Sequence, residues 1–588
     1  MARKLPPTDA VIIGLGWTGS ILAEQLTAAG LNVVAIERGP WRDTAKDFPT
    51  TFDPDELRYA TRLDLFLRPA QETVTFRNNS AQTALPIRAF GSFLPGNGVG
   101  GAGLHWNGQT WRFLEKDFVV RSHLTERYGA AALPENMTIQ DWGVTYHDLE
   151  SAYDRFEYLA GISGKAGNIQ GKLQPGGNVF EGPRARDYPL PPLQMTYAPT
   201  LFAKAAGEMG LHPFPCPASN ASAEYTNPLG VTMGPCTYCG FCERFGCGNY
   251  AKGSPQTTVL PVLMRRSNFS VRTESEVIRI NRDASGRHAT GVTFVDAQGE
   301  EWEQPAEIVL LCAFQLHNVR MMLLSGIGTP YNPVTNEGVV GRNFAYQTGS
   351  GVQLFFDGKT FNPFVGAGAL QQVIDDFNGD NFDHSKLGFV GGGSISCATT
   401  NGRPIGYRPV PSGTPRWGSA WKKAAAAGYQ SAAGIGNQGS SYSYRDAYMD
   451  LDPTYTDRFG RKLARMTFDW HDNERKMAAF AVERCAEIGH AMGASRVEKH
   501  ELSAHHSVVP YQSTHITGGT VMGADPKTSV VNRYLQSWDV PNLFVMGSSV
   551  FPQNHGYNPT GTVGALAYWA ADAIRNQYLK SPGPLVPA

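Results

Sequence analysis

The run DAVIIGLGWTG, residues 9–19, constrains this chain of 588 residues more than any other stretch. Asp9-Ala10-Val11-Ile12-Ile13 reads as a buried strand, Gly14-Leu15-Gly16-Trp17-Thr18-Gly19 as the turn after it, and SILAEQLTAAG as a helix ending at Gly30. A second strand, LNVVAIE, ends in Glu37. Together they form a dinucleotide-binding unit. Gly14, Gly16 and Gly19 let the turn approach a pyrophosphate, the helix N-terminus faces the phosphate charge, and the Glu37 carboxylate accepts hydrogen bonds from a ribose. A bare glycine pattern would say little, but here the strand, the helix and the terminal acid agree.

With 18% charged residues, 41% hydrophobic residues and 65 glycines, the chain suits a large α/β protein of more than one domain. Its net charge of −1 offers no broad basic surface, so nucleic acid is not expected as a partner. The N-terminus runs straight into the glycine motif without a signal-peptide core, and even EIVLLCAF, residues 307–314, falls short of the ~20 apolar residues that cross a bilayer. Neither an export signal nor an anchor is expected within this subunit. Export within a complex, or docking on a membrane partner, stays open.

A second glycine run, Gly98-Val99-Gly100-Gly101-Ala102-Gly103, has no hydrophobic strand before it and reads as a loop passing close to a cofactor, with His105 and Asn107 beside it. Strand patterns return in VRTESEVIRI, ATGVTFVD and AEIVLLCA. Residues 350–504 differ in texture. Short strands such as GVQLFFDG and KLARMTFDW alternate with Gly/Ser/Tyr-rich connections, and a helix from about Asn473 to His490 carries Met477, Phe480, Ala481, Arg484 and Ile488 at helical spacing, with Asp472 as its expected cap. This block reads as a substrate-side domain inserted between residues 1–349 and 505–588, which share the cofactor fold.

Cys236, Cys239, Cys242 and Cys247 follow the spacing C-x2-C-x2-C-x4-C, one residue longer than the bacterial iron–sulfur run and without its proline. Short loops of this kind can wrap soft thiolates around one cluster. Zinc held by four thiolates usually separates its ligands into two distant pairs, and disulfides within such tight loops are geometrically awkward. Cluster, zinc, and paired or buried thiols are the three readings. Among the scattered cysteines, Cys312 and Cys485 read as small buried hydrophobes, while Cys216 and Cys397 have no spacing argument.

Near the C-terminus, His515 precedes a Gly-Gly turn that leaves its ring clear, and Asn558 heads the apolar helix TVGALAYWAADAI. Beside a flavin, an imidazole can take an alcohol's proton as the carbon-bound hydrogen leaves, and an amide can hold the same oxygen. The alternative is that both are turn and cap residues. His505, His506 and His555 are rivals, with His555 placed to line the same pocket.

These segments resemble the glucose–methanol–choline (GMC) oxidoreductase family. The resemblance is carried by GLGWTG with Glu37, by GNGVGGAGLHWNG, by EIVLLCAFQLHNVRMMLLSGIG, and by HITGG paired with GYNPTGT. In the third segment Phe314, Gln315 and Leu316 replace the small residues usual there. The resemblance implies an α/β fold in which an FAD-binding Rossmann-like domain carries an inserted, mainly antiparallel-sheet substrate domain. It implies FAD as cofactor, His515 as base and Asn558 as its partner. Gly100, Gly101 and Asn107 would pass the isoalloxazine, Val277 would lie on the adenine side, and Gly547, Pro559 and Thr560 would complete the cofactor site. The context of His105 resembles the branch in which this histidine is bonded to the flavin 8α carbon.

Within the family, the cysteine run and GPRARDYPLPP resemble the flavoprotein subunits of membrane-associated bacterial sugar and sugar-acid dehydrogenases. That implies oxidation of a secondary alcohol of a sugar acid, sugar or polyol, gluconate foremost, with electrons leaving through a [3Fe-4S] or [4Fe-4S] cluster. It also implies a small subunit supplying the export signal, a multihaem cytochrome c subunit, membrane quinone indirectly, and the periplasmic face of the bacterial inner membrane. A carboxylate substrate would then meet an Arg or Lys of the inserted domain, with Arg403, Arg408, Arg416 and Arg445 as unranked candidates. Two other readings are an oxygen-using pyranose or alcohol oxidase and a noncatalytic electron-transfer scaffold.

Overall fold

The computed structural model describes residues 2–48, 65–88, 93–399 and 406–587. The strand Thr8–Ile13 is buried along nearly its whole length, as befits a strand flanked by parallel neighbours and covered by helices. Val33–Ile36 lies parallel on one side and Glu301–Leu311 on the other, with Phe269–Arg272 and Leu543–Val545 extending the parallel array in either direction. Glu301–Leu311 serves two arrangements at once. Its residues 306–311 run parallel to Thr8–Ile13, whereas residues 301–305 pair antiparallel with residues 291–295 and lead into the meander of Ala289–Val295 and Glu276–Arg282.

The turn after the first strand has the geometry its glycines allow. Gly14 sits at φ 91°, a conformation that suits glycine, and a Cβ on Gly19 would come within 2.2 Å of the Gly14 carbonyl oxygen. Any larger residue at 19 would push the helix Trp17–Ala28 off its strand. The apolar helix Thr560–Ala573 is equally tight: a Cβ on Gly564 would meet the Phe156 ring at 2.3 Å, so it lies close against Tyr146–Ala160.

A second, wholly antiparallel sheet runs in the order Arg496–His500, Thr348–Phe355, Ala432–Gly439, Gly393–Ala398, Gln371–Ile374 and Phe214–Pro215. Val352, Leu354, Ile395 and Ile435 from its strands pack with Val482, Cys485 and Ile488 of the helix Asp472–Ala491. That helix begins one residue earlier than its spacing suggests. Its N-cap is His471, with extended backbone, and Asp472 lies within the first turn, where a carboxylate faces the positive end of the helix dipole instead of capping it. The fold is mixed α/β with several antiparallel sheets, as expected. Among the described residues no helix is long and apolar enough to cross a membrane.

Two local features bring the late-chain segments to the cofactor side. Thr517 bridges antiparallel to Ala345, just before the strand Thr348–Phe355, and Asn558 stands next to Pro559, the N-cap of the helix Thr560–Ala573. Gln315, one of the large residues in the third motif, is 1% exposed and donates from Nε2 to the Gly518 carbonyl at 2.7 Å. The departure from small residues there thus ties a helix to the turn that follows His515.

Candidate active site

A cavity of about 450 Å3 is lined by Gly14, Gly16, Glu37, Gly101, His105, Asn107, Val277, Gly547, His515, Asn558, Pro559 and Thr560. Two expected residues stand behind this wall instead. Gly19 packs helix on strand, and Gly100, at φ 97°, is pressed against the Gln256 side chain, 2.3 Å from where a Cβ would sit. Gly16 faces open space, its Cβ position meeting nothing closer than 3.9 Å. The Glu37 carboxylate accepts from the backbone N–H groups of Leu15 and Gly39, each at 2.9 Å. Burial raises its pKa above the ordinary value, and those two donors pull it back.

These residues fit a flavin dinucleotide: an open glycine turn, a buried acid and a continuous space reaching the late-chain loops. His105 adds a further indication. It is 4% exposed, its Nε2 has no hydrogen-bond partner, and its ring stands edge-on to Phe66 at 4.5 Å. Burial, reinforced by the Lys252 charge, pushes its pKa down to about 3. A neutral imidazole with an unengaged nitrogen at the cavity wall fits a covalent attachment point.

His515 and Asn558, 43 positions apart, meet in the same wall, with Asn558 Nδ2 at 3.1 Å from His515 Nε2. Gly518 lets the chain turn away after His515, since a Cβ there would fall 1.8 Å from the Asn343 carbonyl oxygen. The half-buried ring opens into the cavity, and burial pushes its pKa down to about 4. On the far side, His515 Nδ1 lies 2.5 Å from Gln347 Oε1. The Trp111 indole N–H donates to Asn558 Oδ1 at 3.1 Å, and its ring stacks on Tyr557 at 4.8 Å. Tyr557 in turn donates to Asp375, a fully buried acid that burial lifts to about 7 against hydrogen bonds from Tyr557, Asn178 and Asn378.

None of the eight cysteines is in a disulfide. Among the described residues, no three His, Cys, Asp or Glu side chains converge to hold a metal ion, so the side-chain arrangement favours neither the zinc nor the cluster reading. The four clustered thiols still share one neighbourhood. Burial pushes Cys236 up to about 12, with Cys247 and Cys239 adding to it, and raises Cys242, with Cys236, Cys239 and Cys247 adding and Lys252 opposing. Lys252 is 1% exposed and donates to the carbonyls of Trp106, Cys242 and Phe245 at 2.7, 2.8 and 2.8 Å. Among the described residues no carboxylate forms an ion pair with it. Burial lowers the Lys252 pKa, and the nearby Cys242, Cys247 and Cys239 oppose that shift, so negative charge on these sulfurs would favour its charged form.

The rival histidines point elsewhere. His555 is 2% exposed, with Nδ1 at 3.1 Å from Asp117 and its ring near Phe113 and Trp142, outside the cavity wall. Exposed His505 reaches Asp469, and His506 is buried among Phe76, Tyr346, Phe468 and Trp470. Of the four arginines expected to meet a carboxylate, Arg408 and Arg416 are absent from the cavity wall, Arg445 is spent on the carbonyls of Pro333 and Val334, and Arg403 lies outside the described residues. Arg38, Arg244, Arg320 and Arg461 line the cavity instead; Arg244, from inside the cysteine run, lies over the Tyr511 ring at 4.2 Å and its Nε pairs with Glu243 at 3.2 Å. Gln109, Gln371 and Gln438 also line the cavity. No spacing rule signals Arg244 or these glutamines.

Two family models described as GMC oxidoreductase match the chain, at residues 218–348 and 443–567. The gluconate 2-dehydrogenase flavoprotein of Pantoea cypripedii is 50% identical over 594 residues, covering 100% of this chain and 97% of that protein. The fructose dehydrogenase large subunit of Gluconobacter japonicus is 26% identical, covering 98% and 99%. The 2-methyl-1,2-propanediol dehydrogenase of Mycolicibacterium austroafricanum is also 26% identical, covering 98% and 97%. Among solved structures, pyridoxine 4-oxidase from Mesorbium loti superposes with a TM-score of 0.59 at 17% identity, covering 98% of this chain and 100% of that one, which speaks to the fold.

Proposed function

Because the chain belongs to the GMC oxidoreductase family, we propose that it is the FAD-dependent flavoprotein of a sugar-acid dehydrogenase, oxidising D-gluconate to 2-keto-D-gluconate. The observation that carries this reading is the His515–Asn558 pair, 3.1 Å apart on the wall of a cavity that begins at the dinucleotide turn, in a chain 50% identical to a gluconate 2-dehydrogenase flavoprotein.

Gly14, Gly16, Glu37, Gly101, Asn107 and Val277 hold the cofactor, with His105 as its covalent attachment. When bound, FAD supplies the acceptor for the hydrogen and two electrons that leave the carbinol carbon. His515 Nε2 takes the hydroxyl proton, and the low pKa that burial imposes keeps this nitrogen unprotonated at neutral pH. The Asn558 amide donates to the same oxygen, fixing it between base and cofactor without competing for the proton. Arg244 offers its guanidinium to the substrate carboxylate, and Gln109, Gln371 and Gln438 offer amides to the sugar hydroxyls.

Cys236, Cys239, Cys242 and Cys247 would hold an iron–sulfur cluster, [3Fe-4S] or [4Fe-4S], whose chemistry would be one-electron transfer, with a multihaem cytochrome c subunit as partner and membrane quinone as the indirect acceptor. A small subunit carries the export signal, and the complex works on the periplasmic face of the bacterial inner membrane. Lys252, buried beside Cys242, Cys247 and Cys239, would be held in its charged form by thiolates at this site.

The test is anaerobic reduction of the flavin by gluconate, 2-ketogluconate, glucose, sorbitol and fructose. Gluconate should bleach it fastest. Faster bleaching by an uncharged sugar or polyol would move the substrate assignment, and no bleaching by any of them would remove the dehydrogenase reading. Acid precipitation separates the two forms of cofactor attachment: yellow colour stays with the pellet if His105 is bonded to the flavin.

A further inference from the structure

Gln347 stands immediately before the strand Thr348–Phe355 and is 1% exposed. Its side-chain amide has three polar neighbours. Nε2 donates to the backbone carbonyls of His555 and Tyr557, both at 3.1 Å, and Oε1 faces His515 Nδ1 at 2.5 Å. Backbone carbonyls only accept, so rotating the amide by half a turn would set its oxygen against two other oxygens. Oε1 is therefore the atom that meets the imidazole, and Oε1 can only accept. Nδ1 must carry the ring proton, which leaves the lone pair on Nε2.

The other side of the ring gives the same answer from separate residues. The Trp111 indole nitrogen only donates, so the atom of Asn558 it meets at 3.1 Å is the carbonyl oxygen, and the Asn558 NH2 group faces His515 Nε2 at 3.1 Å. A donor pointed at Nε2 requires a lone pair there. The two carbonyls that orient Gln347 belong to the segment that carries Asn558, so one amide ties the histidine to the loop of its partner.

We propose that Gln347 is a positioning residue that locks His515 in the Nδ1–H tautomer and so makes Nε2 the basic nitrogen. This rests on His515 being the base of the reaction. Without such a lock a neutral imidazole distributes its proton between both nitrogens, and the fraction protonated at Nε2 cannot take a proton from the alcohol.

The experiment uses the full-length, flavin-loaded protein labelled with [15N]histidine. A long-range proton–nitrogen correlation spectrum reads the tautomer, with the His515 signals identified by their loss in His515→Ala. Wild type is expected to show a protonated Nδ1 and an unprotonated Nε2. Gln347→Met, which removes the acceptor at similar length, is expected to bring in the Nε2–H form and to slow anaerobic flavin reduction at saturating substrate at least ~10-fold, with KM little changed. Gln347→Glu restores the acceptor without the two donations. It is expected to keep the Nδ1–H form and to reduce faster than Gln347→Met. A wild-type His515 protonated at Nε2 overturns the proposal whatever the variants do. So does a Gln347→Met protein with unchanged tautomer and rate, or a Gln347→Glu protein as slow as Gln347→Met despite the correct tautomer. Full-speed flavin reduction by His515→Ala removes the base assignment instead and leaves the tautomer measurement standing.

Discussion

Trp111→Phe should slow flavin reduction while leaving the fold nearly untouched. The indole ring stacks on Tyr557 at 4.8 Å and 15°, and meets Phe214 edge-on at 6.1 Å. A phenyl ring keeps most of that apolar contact, so the principal loss is one N–H. That N–H donates to the Asn558 carbonyl oxygen at 3.1 Å and, more weakly, to Gln109 Oε1 at 3.4 Å, and Asn558 is 4% exposed. Leaving a buried acceptor without its donor costs roughly 1–3 kcal/mol. If the freed amide turns to relieve this, its oxygen faces the His515 lone pair and the NH2 group no longer points at the incoming hydroxyl. At about 1.4 kcal/mol per decade, flavin reduction should fall about 5- to 150-fold. The assay is anaerobic stopped-flow bleaching of the flavin by gluconate at saturating concentration, with flavin content measured alongside. A rate within twofold of wild type at full flavin content would refute the claim that Trp111 sets the polarity of Asn558.

Three further outcomes follow from the site. Burial holds the His515 pKa at about 4, below its ordinary value of 6.5, so kcat/KM should stay level through neutral pH and fall only as pH drops through the region of 4. A limb near 6.5 in the pH profile, assigned to His515 by its absence in His515→Ala, would contradict the buried-base account. Arg244→Leu should raise KM for gluconate about tenfold and leave KM for sorbitol unchanged, the partial exposure of the guanidinium moderating the loss. Equal effects on both substrates, read from steady-state kinetics, would remove Arg244 as the carboxylate partner. Cys239→Ser should keep flavin reduction near wild type, lower the iron content and slow transfer to a haem acceptor; unchanged iron with both steps fast would end the relay proposal.

How much of this was legible in the sequence depended on whether the partners lie close along the chain. Gly14, Gly16, Gly19 and Glu37 belong to one contiguous unit, so a strand, a turn and a helix announce each other. His515 and Asn558 are 43 positions apart, and spacing alone leaves them as a turn residue and a cap; the paired family motifs were needed to join them. Gln347 meets His515 across 168 positions and Trp111 meets Asn558 across 447. A glutamine before a strand and a tryptophan in GQTWRF carry no periodic or spacing signal of such contacts. Arg244 is hidden for another reason: a carboxylate's partner is expected in the block 350–504, whereas Arg244 lines the cavity from within the cysteine run. Asp472 was displaced by one residue because an aspartate suits the first helical turn as well as the cap. The second glycine run reads as a loop passing close to a cofactor; in the structure Gly100 is pressed against Gln256, while Gly101 lines the cavity.

The most direct test of the account is the rate at which substrate reduces the flavin in His515→Ala, measured anaerobically at saturating substrate with bound FAD quantified. The His515–Asn558 geometry predicts a loss of at least ~10²-fold with the flavin retained. Reduction at close to the wild-type rate would contradict it.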